Sequence, residues 1–500
     1  LNKLIVIDMY TFSSKLKTLS FILMAVGILG IGYGFLTAPK DIQDIEKILA
    51  AESHGGYGEA KQEATTSTED SHEAVAKHSD GAVEKKMEES QEAIVLADDT
   101  TKAVIATSDE PAHVEMAVKK SGGHEISEEE AHTEHLNHVL HQLQNKPWAA
   151  LYVACIFFML ISLGVLAFYA IQQVSQSGWS PVLFRVMQGI TAYLPVGSVL
   201  FFIFLLLCGF HLNHLFIWLD PEVVATDKLI ANKAGYLNFP FWIIRAAIFL
   251  MGWNLYRYYS RKNCLAQDDA NDDLNYKKNF KLSAVFLVFF IVTESIMSWD
   301  WIMSIDPHWF STLFGWYVFS SFFVSAITVI ALVTLYLKSK GVLEHVNTSH
   351  IHDLAKFIFG FSVFWAYLWF SQYMLIWYAN IPEEVTYFIT RIELYNLPFF
   401  GAVVMNFVFP LLILINTDFK RITWVLVMAG VVILIGHYLD FFLMIMPGTV
   451  GDRWFIGVSE IASVLFFLGL FIYVVFTALT KVPLLPKRNP FIEESKHFHY

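Results

Sequence analysis

Long apolar runs alternate with short polar interruptions along this chain. One run precedes residue 40 and nine follow residue 147. Each is about 20 residues, enough for a helix to cross a hydrocarbon layer of about 30 Å. The pattern predicts ten spans, roughly at 18–37, 148–171, 190–211, 239–259, 281–299, 312–337, 355–378, 397–416, 422–446 and 457–480. A spanning segment must satisfy its backbone internally, so the expected fold class is an all-α polytopic membrane protein. In the first run, Gly27 to Gly34 continues into Phe35-Leu36 without a small-residue cleavage site, and it reads as an uncleaved anchor.

A repeat underlies the pattern. HLFIWLDPEVV from His214 at the end of the third span resembles YMLIWYANIPEEV from Tyr373 at the end of the seventh. After the fifth span comes Asp306-Pro307-His308-Trp309-Phe310, and after the ninth Asp452-Arg453-Trp454-Phe455. Both matches are offset by four helices, and an even offset preserves orientation. The expectation is two parallel-repeat four-helix units, spans 2–5 and 6–9, flanked by spans 1 and 10. The predicted organisation is an N-terminal segment with helix 1 (1–39), an insert (40–147), a first four-helix unit (148–299), a second with its preceding loop (300–446), and helix 10 with a tail (447–500).

Charge refines this picture. The formal net charge of −12 belongs to the insert, where 24 acids face 10 lysines, while the rest of the chain is slightly basic. That acidic stretch, rich in Ala, Ser, Thr and His and poor in aromatics, is expected to be largely disordered. Neither part suits nucleic acid. One set of loops collects Lys3, Lys15, Lys17, Arg257, Arg261, Lys262, Lys277, Lys278, Lys281, Lys338, Lys340, Lys420, Arg421, Lys481, Lys487 and Arg488. The other short loops hold only Lys228, Lys233, Arg391 and Arg453. The positive-inside rule then predicts cytoplasmic termini, with the insert and the 299–309 loop outside. The three cysteines form no C-x-x-C or C-x-x-C-H, which argues against a disulfide framework, covalent c-type haem or an iron–sulfur cluster on this chain's own thiolates.

Candidate chemistry gathers near one surface. TESIMSWDWIMSIDPHWFS, from Thr293 to Ser311, sets Glu294, Asp300, Asp306 and His308 among three tryptophans, which mark headgroup depth. Glu294 should lie a helical turn or more below that surface, where a carboxylate is a candidate proton carrier. Two bland alternatives stand beside this. Asp306-Pro307 is a good helix start signal, and Arg245, at comparable depth, could neutralise Glu294. His437 and Asp440 share one face of the ninth span and form the second unit's counterpart, able to pass a proton or to glue helices. Glu460 starts the tenth span at similar height. His132, His135, His138 and His141 form a helical stripe, a metal site or a polar lead-in to span 2. His211 or His214 with His437 would be the pairing for a haem b. No row of acids leads inward from the basic side, where Arg185 alone stands out.

The run SWDWIMSIDPHWFSTLFGWY (Ser298–Tyr317) closely resembles the ActF-type subunits of bacterial alternative complex III, within the NrfD/PsrC-like integral membrane family. The likeness covers roughly 1–40 and 147–490, but not the insert. It implies a membrane subunit of a respiratory quinol:cytochrome c oxidoreductase in the bacterial inner membrane. Quinol (menaquinol or ubiquinol) would be oxidised near the periplasmic face. The implied partners are an ActC-like paralogue, an iron–sulfur subunit, multihaem and monohaem cytochrome c subunits, and in some assemblies a terminal oxidase. The iron–sulfur clusters and haems would sit in those partners. Carried over by motif position, the site residues are Asp300, Asp306 and His308, while Glu294, His437 and Asp440 rest on the depth argument. A redox-inactive membrane anchor and a secondary transporter are the alternatives.

Overall fold

The computed structural model describes residues 9–54 and 128–499. The disorder expected of the insert falls on residues largely outside the described ones. Among the described residues the protein is all-α, with ten helices long and apolar enough to cross a membrane. They are span 1 (Ser14–Thr37), span 2 (His135–Val174), span 3 (Pro181–Gly209), span 4 (Phe239–Gln267), span 5 (Leu274–Ile305), span 6 (Phe314–Ser339), span 7 (Thr348–Ala379), span 8 (Asn396–Leu414), span 9 (Thr423–Val450) and span 10 (Val458–Leu479). All ten expected spans are present. Several helices run on past the apolar stretch that predicts them, because helical hydrogen bonding does not stop where hydropathy falls.

The described residues fall into two units, 9–40 with 139–499, and 41–54 with 128–138. The helix that holds span 2 is Glu128–Val174. In the first unit, spans 2 to 5 form one quartet, with span 3 on span 4, span 4 on span 5, and span 2 closing on spans 3 and 5 through Tyr152. Spans 6 to 9 form a second, with 6 on 7 and 9, and 8 on 7 and 9. Spans 2 and 6 are central, 94% and 89% buried over their most apolar windows. They meet at Gly164, where a Cβ would lie 2.7 Å from the Cβ of Ala326. Outward faces are apolar, as at Leu29, Val285 and Leu412, which suits hydrocarbon surroundings.

Span 1 lies along span 10. At Gly27 a Cβ would come within 2.6 Å of the backbone nitrogen of Phe466, and at Gly30 within 2.5 Å of the Cβ of Ala462. Small residues allow this backbone approach, which supplies packing where no hydrophobic force acts between helices in lipid. Gly27→Leu is therefore expected to separate the two helices, at a cost of about 1–3 kcal/mol from overpacking. Denaturant unfolding, with cross-linking of cysteines placed on both helices, checks this.

Two ends of the bundle can be told apart. The loop end carries residues 302–313. The tail end is crossed by the C-terminal segment. There Lys487 N–H donates to Asp268 (2.9 Å) and Ser495 Oγ to the Trp179 carbonyl (2.7 Å), while the His350 ring lies 3.0 Å from the Ser495 carbonyl. The tail thus ties the 2–3, 4–5 and 6–7 connections together.

Candidate functional site

Asp300 is locked. Arg245 Nε donates to Oδ2 at 2.6 Å and a terminal guanidinium nitrogen to Oδ1 at 3.0 Å, while the Tyr236 hydroxyl donates to Oδ1 at 2.8 Å. The Asp300 carbonyl receives Trp242 Nε1 (2.9 Å) and Ser304 Oγ (2.7 Å). The guanidinium also lies 3.9 Å from the Tyr236 ring centroid and 4.3 Å from that of Phe241. The neutralising partner of Arg245 is therefore Asp300 and not Glu294. Arg245 sits only six residues into span 4, so its reach matches Asp300, about 9 Å nearer the loop end than Glu294 at 1.5 Å per residue. A carboxylate held by a bidentate arginine is a joint between helices, its charge already answered.

Asp306 and His308 are loop-builders. Asp306 Oδ1 accepts the His308 N–H (3.3 Å) and its carbonyl the Trp309 N–H (3.2 Å). The next helix starts at Phe314, so Asp306-Pro307 makes a turn rather than a helix start. Its proline carbonyl takes a hydrogen bond from Lys233 (2.5 Å). His308 Nε2 lies 2.6 Å from Asp227 Oδ2. The bond to His308 pulls the Asp227 carboxyl below its ordinary 3.8, helped by the backbone N–H groups of Ile230 and Leu229. A depressed folded value means that this contact stabilises above 3.8 and is lost as pH falls through the folded value. His308→Ala is expected to cost under about 1 kcal/mol at pH 7, since the pair is half exposed, and nothing well below the ordinary carboxylate range. Thermal unfolding of both proteins at neutral and acid pH reads this difference.

Within the quartets two buried carboxylates remain, one in each. Glu294 is 3% exposed and accepts from the hydroxyls of Ser298 (3.2 Å) and Ser295 (3.4 Å). Asp440 is 1% exposed. It accepts from the Tyr317 hydroxyl, from Ser321 Oγ (2.7 Å) and from Trp365 Nε1 (2.8 Å). Among the described residues neither acid has a lysine or arginine within ion-pair distance. Counted back from the matching loops, 294 and 440 are equivalent: each lies twelve residues before the aspartate of its D-x-(x)-W-F segment, Asp306 or Asp452.

Around Asp440 the polar groups form a set. His437 Nδ1 is 3.9 Å from the carboxylate and 3.0 Å from Ser321 Oγ, so the serine bridges imidazole and acid. The two side chains that share this helix face are thus joined through Ser321. His437 Nε2, Gln372 Nε2 and both amide atoms of Asn406 are buried without a hydrogen-bond partner. Asn406 lies in a π-helical turn, Val404–Val408, within span 8, a break often found at functional sites. A Cβ on Gly436 would strike its amide. A cavity of ≈ 10 Å³, about one water's worth, is lined by Tyr317, Gln372, Tyr387, Arg391 and Asp440. Arg391 is spent on the carbonyls of Leu443 (3.1 Å) and Tyr387 (2.7 Å). Tyr387 stacks on Trp309 at 3.9 Å between centroids, so the cavity wall continues to the loop end. Sequence reasoning missed Tyr317, Ser321, Trp365, Gln372 and Asn406, which lie in long apolar helices, and counted Arg391 only as a loop base. Pro410 was the readable signal, since it removes the amide donor expected four residues after Asn406 and invites a break.

The tail end also holds more than Arg185. The Tyr169 hydroxyl accepts from Gln173 (3.1 Å), Gln188 (3.2 Å) and Asn279 (3.0 Å). Arg185 donates to Gln188 (3.1 Å) and pairs with Asp268 (2.5 Å), and Tyr256 and Ser283 share a hydrogen bond of 2.7 Å. From Ser283 to Thr293, about 15 Å along span 5, the buried positions are Phe286 and Phe290. Apart from the Arg185–Asp268 pair, this polar set consists of neutral phenol, amide and hydroxyl groups.

The histidine alternatives resolve differently. His214 packs on His141 at 4.9 Å between ring centroids, whereas His437 faces Ser321 and Trp365 inside the second quartet. The residues proposed for a haem b are thus turned to other neighbours. Among the described residues no group of three His, Cys, Asp or Glu side chains could hold a metal ion, and His132, His135, His138 and His141 lie exposed along their helix. Glu460 serves as a cap, its Oε2 accepting the Gly457 N–H at 2.9 Å.

Fold and site together define a class: a multi-pass α-helical membrane protein of two helix quartets, each enclosing a carboxylate with no cationic partner among the described residues. No protein-family model matches the chain, and no curated protein matches it.

Proposed function

We propose that this protein is an integral NrfD-like membrane subunit of a respiratory quinol:cytochrome c oxidoreductase of the alternative complex III kind, and that Asp440 and Glu294 carry protons in it. The observation that supports this most is Asp440: a fully buried acid held only by hydroxyl and indole donors, one serine away from a histidine and beside a water-sized cavity. Such a site is expensive unless it is used.

In this reading, oxidation of quinol to quinone releases two electrons to metal centres in partner subunits and two protons to the protein. This chain's task is the proton. A proton on His437 Nδ1 passes to Ser321 Oγ as the serine's own proton moves to Asp440 Oδ2. Asp440 then releases it toward the cavity and the Tyr387–Trp309 wall. Glu294 is the corresponding acid of the first quartet. The tail-end set around Tyr169 is a candidate for holding ordered water on the opposite side. The basic loops support placing both termini in the cytoplasm of a bacterial cell, with the acidic insert in the periplasm and the protein in the inner membrane. A redox-inactive anchor is the competing reading, favoured by the locks at Asp300–Arg245 and His308–Asp227.

The test is purification of the tagged chain from its native membranes in mild detergent. Iron–sulfur and c-type cytochrome subunits should copurify, together with quinol:cytochrome c reductase activity that is lost when the gene is deleted. A chain that isolates alone, or with partners free of redox centres, would remove this assignment.

A further inference from the structure

A concave feature of the surface lies away from both buried acids. It is an open groove of ≈ 620 Å³ on the tail-end half of span 7. Its walls are Phe357, Phe361 and Phe364 on span 7, with Trp179 from the 2–3 connection, and its floor is Gly360. Phe357 stacks on Trp179 with centroids 6.0 Å apart and planes 23° apart. The Trp179 carbonyl is tied to Ser495 of the tail, so this wall is preformed. At the groove's outer end, one to two helical turns before Gly360, Asp353 and Lys356 meet at 3.1 Å and are 16% and 49% exposed. The volume falls within the roughly 300–1,000 Å³ of sites that bury a small organic ligand.

The order of chemistry along the groove identifies its occupant. The paired charges stand near the end of the span, at headgroup depth, and the aromatic channel runs from them into the apolar part of the helix. An anionic lipid would meet Asp353 as well as Lys356. A zwitterionic headgroup meets both favourably, its phosphate on Lys356 and an ammonium that can donate hydrogen bonds on Asp353. A quinone ring offers no charge to either. We propose that this groove seats one phosphatidylethanolamine molecule, with an acyl chain over Gly360 between Trp179 and the phenylalanines, and the headgroup across Lys356 and Asp353. The bound lipid completes a surface that the polypeptide leaves open between the 2–3 connection and the second quartet.

Gly360 provides the test. A Cβ there meets nothing within 4 Å, and an alkyl side chain also favours the helix over glycine. Gly360→Leu therefore fills the groove without disturbing the fold. The full-length chain, extracted in mild detergent, is offered phosphatidylethanolamine, phosphatidylcholine and phosphatidylglycerol in equal amounts, and retained lipid is counted by native mass spectrometry. The expected result is one retained phosphatidylethanolamine, preferred about tenfold over the other two, as a charge-assisted hydrogen bond would give. Gly360→Leu should lose it. Asp353→Asn, which removes the acceptor of the ammonium, should keep a lipid but shift the preference to phosphatidylglycerol; it reads the headgroup independently of the groove. Equal retention of the three lipids, preference of the unaltered chain for phosphatidylglycerol or phosphatidylcholine, or undiminished phosphatidylethanolamine on Gly360→Leu overturns the proposal. So does a Gly360→Cys thiol that stays blocked in lipid-free protein, because a protein segment would then be the occupant.

Discussion

Replacing Arg245 with methionine is expected to destabilise the protein by about 3–5 kcal/mol, the usual cost of stranding one member of a buried ion pair. Asp300 is fully buried, and two of the hydrogen bonds to its carboxylate come from that guanidinium. Tyr236 alone cannot compensate a bare charge there. The loss should be largely recovered in Arg245→Met/Asp300→Leu, because removing both charges removes both desolvation penalties. Unfolding in a graded denaturing detergent, run on both variants, gives the comparison. If Arg245→Met costs less than about 1 kcal/mol, Asp300 is protonated or hydrated in the native state. It would then return to the set of candidate proton carriers.

The second large effect is on activity. Asp440→Asn and Glu294→Gln should each slow proton-coupled quinol turnover by about 10²-fold or more, the lower range for loss of a positioned acid or base. Both amides preserve volume. They differ in what surrounds them. Glu294 meets two serine hydroxyls, which can turn to accept from an amide, so Glu294→Gln should leave stability nearly unchanged. Asp440 accepts Trp365 Nε1 and Ser321 Oγ on one carboxylate oxygen and the Tyr317 hydroxyl on the other. An asparagine can keep its carbonyl on the first pair and donate to the phenol oxygen, so Asp440→Asn should cost about 1 kcal/mol, the worth of one exchanged hydrogen bond. Ser321→Ala gives a cleaner reading of the relay, since it keeps the acid and interrupts the bridge to His437. Proton release and turnover measured on the assembled complex decide between the readings. Normal rates in all three variants, with full assembly, would leave the anchor reading in place.

The site is partly legible in the sequence. Glu294 and Asp440 stand out in sequence because an ionisable group inside an apolar run is costly wherever the helix points. The bridge through Ser321 was not legible: a serine in an apolar helix is cheap, and nothing along the chain tells which neighbour it meets 119 positions away. Asp300 looked as functional as Glu294, and the two differ only in which of them Arg245 can reach. The π-helical turn at Asn406 had one local cue, Pro410, which shifts hydrogen bonding without identifying the partner of the exposed amide.

Hydropathy alone determined the ten spans and their all-helical character, because the cost of an unsatisfied backbone in hydrocarbon acts on every residue locally. The loop motifs, offset by four helices, indicated the two quartets for a similar reason, since repetition is a property of the chain. Partnership was decided by tertiary structure: Arg245 with Asp300, Ser321 between His437 and Asp440, Gly27 against Phe466, the tail across both quartets. These contacts depend on how each helix is rotated and how deep it sits. Side-chain packing between helices sets those two quantities, and hydrophobic periodicity is nearly silent about them when every outward face is apolar too.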